Sequence, residues 1–411
     1  MRRIRIARHG AAAGVGLLLM CGTLATGCAS DRHGAPEAVV RDSAGTRIVE
    51  LAPFDDALLP AWSLSSEPAL DVGVLDGGEA YQLYQVAGAL LLPDGRLVVA
   101  NGGTKELRFY DAAGRYLESV GREGEGPGEF GALGGLELAR DSLYVFDWRL
   151  VRASVFGSDG TFARSYPVRV QGIAFPNAIG LFDDGGWAVM SGFAFSAQDI
   201  SALVRDTSLV VHLHADGMAA DTIGRFPTTE FFMYGDGSRT TAVGRAFGRS
   251  LAYAVGGARI YLGDTEQYEI AGYAPTGKLE LVLRRQVEPR PVTGAAIEAY
   301  KEVDRRRLVD PQFRQQMERL LADMPYPEEM PVFGALQTDA PGNLWVSEYK
   351  VPGADSLRWA VYSQEGTPVA TVSTPADLQI TQIGDDYVCG RWQDEMEVEH
   401  VRVYRLVKSE E

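Results

Sequence analysis

One short pattern occurs six times along this chain, and a chain built that way has few folds open to it. Each copy is a turn, an apolar strand core and a polar residue where the strand ends. The copies are Asp94-Gly-Arg-Leu-Val-Val-Ala-Asn101, Arg140-Asp-Ser-Leu-Tyr-Val-Phe-Asp147, Asp184-Gly-Gly-Trp-Ala-Val-Met-Ser191, Gly257-Ala-Arg-Ile-Tyr-Leu-Gly-Asp264, Gly342-Asn-Leu-Trp-Val-Ser-Glu348 and Asp385-Asp-Tyr-Val-Cys-Gly-Arg391. A second apolar strand follows each of the first five and closes in a turn at Gly114, Gly160, Gly217, Gly277 or Gly366. Glycine suits such turns because they need φ > 0, which side-chain-bearing residues reach only with strain. Successive turn glycines lie 46, 57, 60 and 89 residues apart, the last gap being lengthened by a helical insert over about 293–331. A period of ~40–50 residues with several short strands per unit is the signature of propeller blades.

The ends of the chain fit the same reading. The sixth copy runs through Glu399-His-Val-Arg-Val-Tyr-Arg-Leu406 with no turn glycine and no fourth strand after it, while Thr46-Arg-Ile-Val-Glu-Leu51 stands alone before the first copy. The expected fold is therefore all-β: a six-bladed β-propeller over 42–407, its last blade closed by the amino-terminal strand 46–51. Two helices between blades four and five are expected, one carrying Ile297, Tyr300, Val303 and Leu308, the next starting at Asp310-Pro311 and carrying Phe313, Met317, Leu320, Leu321 and Met324 at helical spacing. The connection Gly224–Ser250 reads as a long crossover.

Three segments, Asp42–Glu50 (DSAGTRIVE), Gly121–Phe130 (GREGEGPGEF) and Asp394–Tyr404 (DEMEVEHVRVY), resemble a bacterial six-bladed β-propeller lipoprotein family related to NHL repeats, over roughly residues 40–407. That resemblance implies a fold and leaves function open, because binders, lyases, lactonases and scaffolds share it.

The first 27 residues differ from the rest. Arg2, Arg3, Arg5 and Arg8 precede an apolar stretch from Ala11 to Ala25 that is shorter than the ~20 residues of a membrane-spanning helix. Leu24-Ala25-Thr26-Gly27-Cys28 resembles a lipobox, so residues 1–27 read as a lipoprotein signal peptide, Cys28 as the lipidated residue and 28–41 as a tether. Ala29 after that cysteine resembles lipoproteins sorted to an outer membrane, facing the periplasm or the cell surface. Cys389 is then alone in the mature chain, which excludes an internal disulfide. A net charge of −16 excludes nucleic acid as a partner.

Aligning the six copies puts Asn101, Asp147, Ser191, Asp264, Glu348 and Arg391 at equivalent strand ends, on the face shared by the second-to-third loops and the crossovers. This polar ring is the expected ligand face, although a polar residue at a strand end also serves to tie down the adjacent turn. His212 and His214 share one strand face, read as solvated rather than metal-bound. No GxSxG elbow, HExxH or P-loop occurs, so no catalytic residue is assigned. The function expected is a ligand- or protein-binding module on a lipid anchor, with no resident cofactor. The alternative is a divalent-metal-assisted hydrolase or lactonase that would hold calcium among Asp, Glu and Asn side chains.

Replacing Cys28 with Ser should abolish fatty-acid labelling and release the protein from membranes. Undiminished label in a membrane-bound variant would show that another group anchors the chain.

Overall fold

The computed structural model describes residues 37–192, 202–235, 240–307 and 311–409; Cys28, the signal segment and Leu308 lie outside them. The described chain is all-β apart from the helical insert and a few short turns of 3-10 helix. It forms consecutive antiparallel meanders arranged like propeller blades. The first unit comprises Val86–Leu91, Leu97–Asn101, Glu106–Tyr110 and Tyr116–Val120, and the second Leu133–Ala139, Ser142–Asp147, Arg152–Gly157 and Phe162–Pro167. The third begins at Pro176, the fourth at Leu251, the fifth at Leu336 and the sixth at Gln379. The turn glycines do what their positions predict: Gly114, Gly160, Gly217, Gly277 and Gly366 all have φ between 71° and 82°.

The core lies between units rather than within them. Leu90, Val98, Leu107 and Phe109 of the first unit interleave with Leu136, Leu143, Val145 and Phe156 of the second. Corresponding clusters join second to third, third to fourth, fourth to fifth and fifth to sixth. A further cluster places Val401, Val403 and Cys389 of the sixth unit against Val86, Ala89, Val99 and Tyr110 of the first. Burial leaves Cys389 without exposed surface and pushes its thiol up to about 12, which makes it an inert packing residue.

The amino-terminal segment departs from expectation. Thr46–Leu51 does not complete the last unit; it pairs in parallel with Leu279–Arg285, the outer strand of the fourth. Val49 and Leu51 belong to the core between the fourth and fifth units, beside Leu281, Leu283 and Tyr362, and that apolar match decides the placement. Residues 38–41, expected in the tether, belong to strand Ala38–Ser43, which pairs with Thr46–Leu51. The sixth unit instead receives Leu70–Val72, antiparallel to Val401–Val403. Ala61–Leu64 bridges the outer strand of the fifth unit and the end of the sixth. So the amino-terminal chain does complete the last unit, but about 20 residues later than the alternation in 46–51 suggested.

The expected long crossover also differs. Ala202–Leu213 and Ala220–Gly235 extend the third unit as an antiparallel hairpin, and Thr240–Gly244 pairs back on it. Helices α1 (Gly294–Arg307) and α2 (Pro311–Asp323) dock on this extension, with Leu320, Leu321 and Met324 against Phe232, Ala246 and Phe247. Phe313, expected on the apolar face, is 49% exposed.

Placement of Leu70–Val72 against the sixth unit is testable by contrast. Val72→Asp puts a carboxylate where the side chain is 2% exposed, and should cost several kcal/mol, on the order of 3. Val40→Asp, on the exposed outermost strand, should change stability by no more than about 0.5 kcal/mol. Chemical denaturation that ranks the two variants equally would refute this assignment.

Candidate functional site

The six strand-end residues are mostly consumed by the fold. Asn101 is fully buried; its Oδ1 accepts the Tyr84 N–H at 2.8 Å and its Nδ2 donates to Thr104 Oγ1 at 2.8 Å. Asp147, 1% exposed, accepts four backbone N–H groups, from Gly131 (2.6 Å), Ala132 (3.2 Å), Arg149 (3.0 Å) and Leu150 (2.9 Å). Ser191 Oγ accepts the Leu209 N–H at 2.9 Å. Arg391 donates to the Val86 carbonyl and to the carboxylate of Glu399, whose other oxygen accepts the Val86 N–H at 2.7 Å.

Two copies differ in detail. In the fourth, Asp264 pairs with Arg205 at 2.8 Å, while the next residue, Thr265, accepts the Ser250 N–H at 2.9 Å. In the fifth, Ser347 accepts the Ala335 N–H at 2.8 Å, and Glu348 stands one residue further out, 3.6 Å from Arg358. Asn101, Asp147, Thr265 and Ser347 thus act alike, because each pins the incoming crossover to the end of its own second strand. Asp264 and Glu348 keep carboxylates at the surface.

Asp264 lines a cavity of 340 Å³ beside Glu266, and Glu266 in turn belongs to a group that the repeats do not reveal. Glu230, on the extended strand of the third unit, is 5% exposed and holds Arg245 at 2.9 Å and Arg249 at 2.7 Å. Burial alone would raise Glu230, but its hydrogen bonds to the two guanidiniums prevail and hold it below the ordinary carboxylate range. Arg249 also reaches Glu266 at 2.7 Å. A cavity of 380 Å³ opens here, between Glu230, Arg245, Arg249, Glu266 and the segment 327–332 that follows the helices. A second, of 320 Å³, lies on the other side of Pro331 and Val332, with Arg285, Arg290, Arg358 and Glu348 at its walls. The wall of the 380 Å³ cavity carries Phe247 at φ 57°, unusual for a bulky residue, held among the rings of Tyr300, Tyr326 and Tyr349. The abundance of Arg and Phe in 224–250 was the available sequence signal; without its partners it could not be read as a paired cluster.

Another space is axial. The first strands of all six units contribute to a cavity of 590 Å³. Glu137 lines it, and no hydrogen bond to its carboxylate occurs among the described residues. Burial pushes Glu137 up to about 7. The His212 and His214 strand is also not a simple solvated face: His212 is 4% exposed, and one ring nitrogen from each histidine lies within 4.8 Å of an Asp221 carboxylate oxygen.

No family model and no curated protein matches the sequence. Solved structures do resemble the fold. A member of the DUF4221 family from Bacteroides vulgatus is 10% identical, with a TM-score of 0.50, over 84% of this chain and 98% of its own. A Bacteroides fragilis protein described as exported is 12% identical with a TM-score of 0.44, covering 88% of this chain and 100% of its own. Regucalcin from Agrobacterium tumefaciens, described as calcium-binding, is 8% identical with a TM-score of 0.38, over 86% and 98%. At such identities the likeness concerns the fold alone.

The axial carboxyl gives a pH prediction with a definite sign. A carboxyl raised from its ordinary 4.5 to about 7 keeps its proton in the folded state after the unfolded chain has lost it. Stability is therefore lost as pH rises from 4.5 through 7. Glu137→Gln should match the parent near pH 4.5 and exceed it at pH 8.5 by on the order of 2 kcal/mol. A stability difference that does not vary with pH in urea titrations would rule this out.

Proposed function

We propose that this chain is an exported lipoprotein, anchored through Cys28 at the outer membrane. In this reading its propeller-like domain is a six-bladed ring, the last blade completed by Leu70–Val72, that binds a small molecule or a protein on the crossover face. One observation carries the binding site: both large insertions pack together on that face. The third-unit hairpin and the two helices share one apolar cluster, which also takes in Tyr349 and Val351 of the fifth unit. The opposite face keeps short hairpin turns at Gly114, Gly160, Gly217, Gly277 and Gly366. Length concentrated on one side of a rigid scaffold marks where recognition is built. The third-unit extension walls one of two adjoining cavities, and both are lined by arginines in a chain that is acidic overall. Arginines held in place by Glu230 and Glu266 present fixed donors, which suits a polar or acidic group on the bound partner.

The calcium-assisted hydrolase has less behind it. Calcium takes six to eight oxygen ligands, several of them carboxylates. The axial cavity offers one carboxyl without a hydrogen bond among the described residues, Glu137, which burial disfavours in its charged form, whereas Asp339 at its wall is committed to Asn343 and Trp345. The carboxylate of Asp147 is likewise committed to backbone N–H groups.

The double variant Asp264→Ala with Glu348→Ala tests the face. Both carboxylates lie outside the apolar core, so the fold should lose no more than about 2 kcal/mol. A panel of sugars, organic acids, peptides and envelope proteins would be screened by thermal shift against the parent. Any ligand found should bind the double variant at least tenfold more weakly. A ligand that binds both forms equally tightly places recognition elsewhere.

A further inference from the structure

Away from the crossover face, the third unit carries a group of side chains that its fold does not account for. His212 and His214 alternate on strand Ala202–Leu213 and the turn after it, and Asp221 is the cross-strand partner of His212. Alternation by two and direct pairing bring all three side chains to one side of the sheet. One ligating atom from each lies within 4.8 Å of the others. His214 Nε2 is 2.9 Å from Asp221 Oδ2, and His212 Nε2 is 3.2 Å from Asp184 Oδ2 in the turn between the first and second strands.

His212 is the unusual member. It is 4% exposed, yet neither ring nitrogen makes a hydrogen bond, and the approach to Asp184 lacks hydrogen-bond geometry. A buried imidazole normally satisfies at least one nitrogen, because leaving both without partners costs free energy. Its orientation is nevertheless fixed: Phe182 packs edge-on against it at 4.9 Å, and the His214 ring lies 5.1 Å away. Gly186 adds a second sign. A Cβ there would fall 2.1 Å from His212 Nε2, and Gly186 is not at positive φ. The absence of a side chain therefore leaves room for the imidazole rather than permitting an unusual backbone.

We propose that His212, His214 and Asp221, with Asp184 beside them, bind a first-row divalent cation of the zinc type on the hairpin-turn face of the third unit. Imidazole nitrogen and carboxylate oxygen are the donors zinc takes, at about 2.0–2.2 Å in tetrahedral geometry. Such donors sit roughly 3.4 Å apart around the ion, so small rotations of His214 and Asp221, both partly exposed, complete the shell. Two neutral imidazoles and two carboxylates balance the charge of the ion. The ion would join the third and fourth strands to the turn at Asp184, and its role is a structural clip.

The test uses the full-length protein, without an affinity tag, purified in detergent and stripped with chelator. Zinc bound after titration and desalting is counted by mass spectrometry, and cobalt serves as the spectroscopic probe. One equivalent is expected, with a tetrahedral cobalt spectrum and a thermal midpoint raised by zinc. His214→Ala and Asp221→Asn should each bind zinc at least roughly tenfold more weakly, with midpoints near the parent's in the absence of metal. His400→Gln should bind as the parent does, because His400 is engaged with Asp71 elsewhere. Failure to retain one equivalent, or unchanged binding in both His214→Ala and Asp221→Asn, would overturn the proposal.

Discussion

A four-stranded meander cannot bury two apolar faces by itself, and the architecture of this protein depends on that limit. Each unit presents an apolar face to the unit before it and another to the unit after it. Tyr261 and Ile270 of the fourth unit meet Leu344 and Tyr362 of the fifth, whereas Ile260 and Leu262 of the same sheet meet Phe182 and Ala188 of the third. Neighbouring units therefore stabilise one another, as in repeat proteins. The sixth is no exception, because Val401 and Val403 pack against Tyr110 and Val99 of the first.

Sheets packed face to face still need their connections held, and the polar strand ends hold them. A crossover that enters a blade carries backbone N–H groups which lie outside any ladder. Asn101, Asp147, Thr265 and Ser347 accept those groups, and Asp147 alone accepts four. Burying a carboxylate is tolerable only with such compensation. A residue selected to pin a crossover has the same appearance in a sequence as one selected to meet a ligand. That is why the polar ring was legible as a ring while its use was not.

The repeats were legible because their determinants are local. A turn glycine at positive φ and an apolar run of four residues belong to a single short segment. The partner of an amino-terminal strand is a tertiary matter. Thr46–Leu51 and Leu70–Val72 both place alternating apolar residues inward, and three residues are too few for periodicity to register. Which edge each strand covers depends on whether Val49 and Leu51 fit beside Leu281 and Leu283, a fact about packing between segments over 200 residues apart. The third-unit extension was obscured differently. Its Phe, Thr and Tyr residues favour strand, but interspersed Gly and Arg suggested a loop, and two of the arginines, Arg245 and Arg249, are partners of Glu230. The candidate cavity beside Glu230 was hidden for the same reason, since its walls combine the hairpin, the fourth unit and the segment after α2.

The chain thus divides its polar chemistry among three places with different physical characters. In the axial cavity, Glu137 meets no compensating charge, and burial favours its neutral form. On the crossover face, Glu230 meets two guanidiniums and stays ionised despite burial, so that site keeps its donors and acceptors fixed over a wide pH range. On the hairpin-turn face, His214 is held above its ordinary value first by its hydrogen bond to Asp221, while His212 beside it is enclosed with unpaired nitrogens. An acid with a raised proton affinity, a charge-locked cluster and an incompletely satisfied imidazole occupy separate parts of the fold. On the crossover face the charges of Glu230, Arg245, Arg249 and Glu266 are paired with one another. That pairing compensates the burial of the Glu230 carboxylate, as the backbone N–H groups compensate Asp147.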